Sequence, residues 1–278
     1  MPVLCALLAV AGIAVARVLA FEVHAIHHAD ALTLHGFLSL DRSSTHAIAS
    51  AIAQIADPAP YGLIGLVLIA IALVQGRVRA GAAVAAVLLG AAVTTDKILK
   101  PLLAAHRYDA VLGVHQVPDG SFPSGHATAS MALALCAILV TAPRFRPYVA
   151  ALGAAFAIAV CYSFLSLGWH YPSDVLGGYL VAGAWSGAAV AALRFSYQRW
   201  PAHTGRQAAG RLLSRVQART LAGSLTAAVL AAGPIVVAVA GGRAVDFLRV
   251  HTIFAFGAGA IALASVAVAG VLAAILRD

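Results

Sequence analysis

Charge is what this chain lacks. Only 10% of its 278 residues are charged, against 62% hydrophobic ones, which excludes an ordinary soluble domain and makes lipid the expected solvent. Lysine is nearly absent: Lys97 and Lys100 are two of the 18 basic residues, and arginine supplies the rest. The net charge of +8 is spread over separate loops, as membrane topology and anionic headgroups require, so no nucleic-acid partner is expected. Cysteine is scarce as well. Cys5, Cys136 and Cys161 each fall inside an apolar run, which argues against a disulfide framework, and Cys5 lacks the small-residue context of a lipoprotein site.

What is abundant is apolar runs of spanning length, which need about 20 residues each. They occur near 2–21, 59–76, 80–100, 124–142, 148–168, 173–193, 221–240 and 251–276. The expected fold is therefore all-α: a polytopic membrane helix bundle of about eight spans. The first run has no basic start, carries Arg17 and shows no convincing cleavage site, so it reads as an uncleaved span. Arg77 with Arg79, Arg144 with Arg146, and the run Arg194, Arg199, Arg206, Arg211, Arg215 and Arg219 mark three loops. Counting alternate crossings puts all three on one side, and the positive-inside rule makes it cytoplasmic. The expectation is a multi-pass protein of the inner or plasma membrane with both termini cytoplasmic.

Three units are expected along the chain: a membrane-embedded core at 1–193, a basic linker at 194–220, and a C-terminal helix pair at 221–278. Residues 22–57 read as one or two interfacial helices on the outer side. In the linker, Arg211, Arg215 and Arg219 recur every four residues, which fits either an amphipathic helix on the inner leaflet or plain positive-inside charge. Gly183 and Gly187 permit close helix contact. The last two spans carry Arg243, Asp246 and Arg249 only in their connecting loop, so packing or homo-oligomerisation is their expected task.

Chemistry concentrates in three polar elements, all on the expected outer side. In Pro123-Ser124-Gly125-His126, proline and serine before an apolar run signal a helix start with Ser124 as N-cap. The free N–H groups there suit a phosphate, Gly125 lets it approach the backbone, and His126 falls in the first turn. His170 and Asp174 are four apart. A carboxylate at that distance accepts the imidazole Nδ1–H and leaves Nε2 as nucleophile; the alternative is that Asp174 only caps the following helix, unless Ser173 serves as that cap instead. Lys100 and Arg107 supply the cations a phosphate dianion needs, although Asp96 one turn before Lys100 also fits a simple helix-end pair.

These elements resemble those of the type 2 phosphatidic acid phosphatase superfamily, which includes lipid phosphate phosphatases and undecaprenyl-diphosphate phosphatases. The first motif runs from Lys100 to Arg107, with Tyr108 in place of the usual proline. The second is complete at residues 123–126. The third matches at Ser163, His170 and Asp174, with Phe164 where the family has arginine. The resemblance covers roughly 60–193 and implies a six-helix phosphatase core with two extra C-terminal spans. It further implies His170 as a nucleophile forming a phosphohistidine, oriented by Asp174, and His126 as acid and then base. Lys100, Arg107, Ser124 and Gly125 would hold the phosphate of a polyprenyl or glycerolipid substrate, with no metal and no cofactor. Loss of one charge-assisted donor costs about 3–4 kcal/mol at a developing phosphoryl centre. Phe164 therefore leaves a slow site, one helped by Lys97, His106, Tyr108 or Ser163, or a lipid-phosphate binder or transferase.

His24, His27 and His28 form a separate group, with Glu22, Asp30, His35 and His46 nearby. Histidines at such spacing build metal sites, but an interfacial helix with polar residues at the headgroups is the favoured reading.

Overall fold

The computed structural model describes residues 1–200 and 252–277, and every regular element among them is helical. The helices are α1 (Pro2–Glu22), α2 (His24–Leu38), α3 (Ser43–Ala53), α4 (Pro58–Val74), α5 (Val78–Val93), the short α6 (Lys100–Leu103), α7 (Gly125–Val140), α8 (Arg146–Ser166), α9 (Pro172–Arg199) and α10 (Thr252–Ile275). The chain is a polytopic helix bundle, as its hydropathy predicts. Six helical segments among the described residues are long and apolar enough to cross a membrane, with α5 continuing through a π turn into α6. Residues 43–56 and α4, bent by 52°, make a seventh if the pair crosses as one broken span. The expected span at 221–240, most of the linker and the loop with Arg243, Asp246 and Arg249 lie outside the described residues.

Burial follows the apolar pattern. The segment containing α7 is buried over 83% of its apolar window, whereas that of α1 is buried over 11%, so α7 is the central post and α1 faces lipid. A helix apolar all round belongs inside the bundle, and α7 packs against α5, α8 and α9. The α1 helix lies along α9, where a Cβ on Gly187 would stand 3.1 Å from the Pro2 carbonyl oxygen. Gly183 faces Val268 of α10 instead, so the two glycines serve different neighbours. The α10 helix packs on α8, α9 and α2.

The two ends of the bundle differ in chemistry. At the end where α7 and α9 terminate, arginines bind the carbonyls that helices leave without partners. Arg77 donates to the Leu139 and Val140 oxygens at 3.0 and 2.8 Å. Arg79 donates to Ser196 and Trp200, and Arg146 and Arg194 to Leu276 and Ile275. Cations at the negative ends of helix dipoles stabilise by about 0.3–1 kcal/mol each. The opposite end, where α4, α7 and α9 begin, gathers the histidines and carboxylates of the described residues.

Candidate active site

The starts of α7 and α9 are joined directly. Ser124 caps α7, its Oγ accepting from the Ala127 N–H at 3.2 Å, and its own N–H donates to the Asp174 carbonyl oxygen at 2.9 Å. This closeness needs Gly178, where a Cβ would stand 2.7 Å from the Ser124 oxygen and 2.8 Å from the Thr128 nitrogen. His126 and His170 are thereby brought together edge to face, their ring centroids 6.2 Å apart and their planes inclined by 61°.

Asp174 is fully buried and does three things at once. One oxygen, Oδ2, accepts the Tyr171 N–H at 3.0 Å and lies 3.4 Å from His170 Nδ1. The other, Oδ1, takes Arg107. Of the two candidate caps of α9, Asp174 makes the bond and Ser173 does not. Ser173 instead donates its Oγ–H to Asp30 at 2.5 Å and its N–H to the same carboxylate at 2.9 Å, because a buried carboxylate needs donors more than a helix end needs a second acceptor. His170 Nδ1 is buried without a hydrogen bond. Catalytic hydrogen bonds are often long before substrate binds, and Asp174 is the carboxylate in reach.

Arg107 lies behind this pair, only 4% exposed. Its guanidinium stacks between the rings of Tyr171, 4.0 Å away, and Phe21, 4.3 Å away. It donates to Ser173 Oγ at 2.9 Å, Ser121 Oγ at 3.0 Å, Asp174 and, at 3.4 Å, Asp30. The sequence expectation placed Arg107 among the phosphate ligands; the structure engages its fork with protein acceptors. Asp30 completes the cluster from α2. Burial pushes its carboxyl up to about 6, against the pull of Arg107 and Ser173.

Lys100 stands on the open side. Its Nζ pairs with Asp96 at 2.9 Å and would lie 3.3 Å from a Cβ on Gly125, so it faces the first turn of α7. Lys100, Asp96, Gly125 and His126 line a cavity of about 290 Å³ together with Tyr61 and Thr95. His126 Nε2 meets a partner the sequence reading missed, Asp57, at 3.0 Å. The site thus offers two imidazoles, a carboxylate beside each, one lysine and the N–H groups of a helix start; His126, Lys100 and Gly125 line the cavity, and His170 stands next to His126, outside its lining.

Phe164 is fully buried, its ring 5.2 Å from that of His170 and 5.8 Å from that of His126. Trp169 flanks His126 at 5.3 Å. The other expected helpers go elsewhere: Lys97 is exposed, His106 pairs with Asp119 at 2.8 Å, Tyr108 is 62% exposed, and Ser163 bonds back to Ala159 in its own helix. None of the four lines the cavity.

The histidines of α2 do not converge. His28 Nδ1 binds Asp109 at 2.8 Å, and His24 stacks on His28. His27 instead reaches the Ala20 and Tyr108 carbonyls. Burial raises the Asp109 carboxyl, but the Val111 N–H and His28 outweigh it and hold the group below the usual range. Among the described residues no three His, Cys, Asp or Glu side chains form a group able to hold a metal.

Residues 81–200 match the family model of the PAP2 superfamily, a segment that starts later than the expected 60–193 and ends a little beyond it. It contains both histidines, Lys100, Arg107 and Asp174, and excludes Asp30 and Asp57. Comparison with curated proteins gives no match, and neither does comparison with solved structures.

Proposed function

We propose that this chain, whose residues 81–200 match the PAP2 superfamily model, is an integral-membrane lipid phosphatase acting through a phosphohistidine. The observation that carries the reading is the pair of neighbouring histidines, 6.2 Å between rings, each with a carboxylate near one nitrogen, at 3.0 Å for His126 and 3.4 Å for His170. With Nδ1 turned to Asp174, His170 presents Nε2 to phosphorus. The P–N bond forms as the P–O bond to the lipid breaks, and the leaving oxygen takes a proton from His126. Water then attacks the phosphohistidine and gives its proton to His126, the P–N bond breaks, and both imidazoles return to their starting state. Lys100 and the N–H groups at the start of α7 hold the phosphoryl oxygens. Arg107 and Asp30 hold Asp174 in place.

Membrane helices flank the site, which favours a lipid phosphate, a polyprenyl or glycerolipid monoester or diphosphate, over a soluble one. The arginines at the opposite end favour an extracytoplasmic site under the positive-inside rule. The division into a core at 1–193, a linker at 194–220 and a C-terminal pair at 221–278 belongs to the same proposal, as does a homo-oligomer built on that pair. Purified protein is expected to release phosphate from such lipids in the presence of a chelator, and His170→Ala to abolish release. Undiminished turnover in that variant overturns the nucleophile assignment.

A second reading draws on Phe164, which brings a ring and no charge to both histidines. A site with Lys100 as its one phosphate-facing cation among the described residues is suited to holding a lipid phosphate, or to passing it to an acceptor other than water. Tight binding of the same lipids with no turnover supports a binder, and transfer that depends on an added acceptor supports a transferase.

A further inference from the structure

We propose that Asp57, outside the segment matched to the family, is a positioning residue that sets the tautomer of His126 and so selects the nitrogen that handles the leaving group's proton. The inference rests on the reading of His126 as the site's acid and base.

Asp57 precedes Pro58 at the first position of α4, where an aspartate ordinarily serves as N-cap. That role would explain the residue without any link to chemistry, but the structure does not use it: the Asp57 side chain makes no capping bond to α4. It turns instead to His126 Nε2, at 3.0 Å. Asp57 lies at the 52° bend between residues 43–56 and α4, and its neighbours Ala56 and Pro58 form part of the cavity wall. The Asp57 side chain is 42% exposed, so it meets water as well as the imidazole.

A carboxylate on Nε2 fixes the Nε2–H form of a neutral imidazole. The proton that comes and goes then sits on Nδ1. Phe164 and Trp169 pack against the same ring and hold its plane. His170 has the reverse arrangement, with its carboxylate on the Nδ1 side and Nε2 left to attack. The two imidazoles thus use opposite nitrogens, each selected by a carboxylate from a different part of the chain.

The test compares wild type, Asp57→Asn and Asp57→Glu by kcat/KM, which reports the step that forms the phosphohistidine, on an alkyl phosphate (a short-chain phosphatidate) and on p-nitrophenyl phosphate. An alkoxide needs its proton in the transition state and a nitrophenolate scarcely does. Asp57→Asn is expected to lose about 30-fold or more on the alkyl substrate and under about threefold on the aryl one, with partial recovery in Asp57→Glu. Equal loss on both substrates, or none on either, overturns the proposal. A second measurement does not depend on turnover: in 15N-histidine spectra, assigned with His126→Gln, wild type is expected to show His126 as the Nε2–H tautomer, and Asp57→Asn to lose that bias. An unchanged His126 signal overturns the proposal even in a protein that hydrolyses nothing. Loss of activity in His170→Ala with none in Asp57→Asn would sink this inference and leave the phosphatase reading standing.

Discussion

His170 and His126 are neighbours, ring centroids 6.2 Å apart, yet they are held in opposite kinds of surroundings. Behind His170 lies a closed set in which Asp174, Arg107, Asp30 and Ser173 are all at least nine-tenths buried and bind one another. Beside His126 lies an open set: Asp57, Asp96 and Lys100 are all part-exposed and paired one to one. Under the proposed mechanism the difference suits the two tasks. A nucleophile must be aimed, and aim comes from groups that neither move nor exchange with water. An acid and base must refill or discharge its proton each cycle, which requires contact with solvent. The same two sets differ in energetics. Buried pairs are costly to break because a lone charge is left in an apolar place, whereas exposed pairs contribute about 0–1 kcal/mol.

The strongest way to break the contrast is at Arg107. Arg107→Lys keeps the charge but not the fork, so Ser121, Ser173, Asp30 and Asp174 can no longer be satisfied together. The expected result is a fall in kcat of about 100-fold, the scale of a misaligned reacting group, with KM changed less than about threefold. A large rise in KM at nearly constant kcat would return Arg107 to the phosphate ligands that the sequence pattern placed it among. Arg107→Met is expected to be worse, costing about 3–5 kcal/mol of stability, because it strands buried carboxylates.

Arg107 also marks where the sequence stops being legible. The described spans, the cap at Ser124 and the pairing of Lys100 with Asp96 follow from local signals: apolar length, helix-start residues, and side chains four apart; the meeting of His126 with His170 was legible only through the family resemblance. The other partners of those residues follow from neither. Asp57 meets His126 across 69 residues and Asp30 meets Ser173 across 143, distances over which periodicity carries no information. An Asp-Pro pair at 57–58 reads as a helix start and nothing more. Ser173 was a candidate cap because its bond to Asp30 was invisible. The α2 histidines looked like one group on helical spacing, but His24 and His28 share a face while His27 is turned toward Ala20 and Tyr108. Local chemistry was readable in the chain; which buried charge answers which was decided by packing.

Asp30 sharpens the contrast at smaller scale. Its carboxyl is raised from 3.8 to about 6, chiefly by burial. A raised acid favours the protonated folded form, so this contribution to stability is fully present below about 3.8 and is lost as pH rises through about 6. Asp30→Asn mimics the protonated acid and lacks that loss. The variant is expected to match wild type near pH 4 and to exceed it at pH 8 by an amount of order 1–3 kcal/mol, read as a difference in Tm between the two proteins across that range. A difference that is flat with pH, or that grows toward acid, would show that Arg107 and the Ser173 donors outweigh burial.

The open side is expected to give the smallest effect. Lys100 Nζ, already beside Gly125, is shared with Asp96, and that part-exposed pair is worth roughly 0.2–1 kcal/mol. Asp96→Asn removes an anion that competes with phosphate for the lysine. Since the pair must loosen when substrate arrives, its worth appears in binding: KM is expected to fall about two- to fivefold with kcat nearly constant. Added salt screens an exposed pair, so the gap between variant and wild type should narrow as ionic strength rises. A rise in KM instead would mean that Asp96 aims Lys100 at the phosphate. The open side would then be organised as the closed side is, by carboxylates that position cations, and the contrast between the two histidines would come down to burial alone.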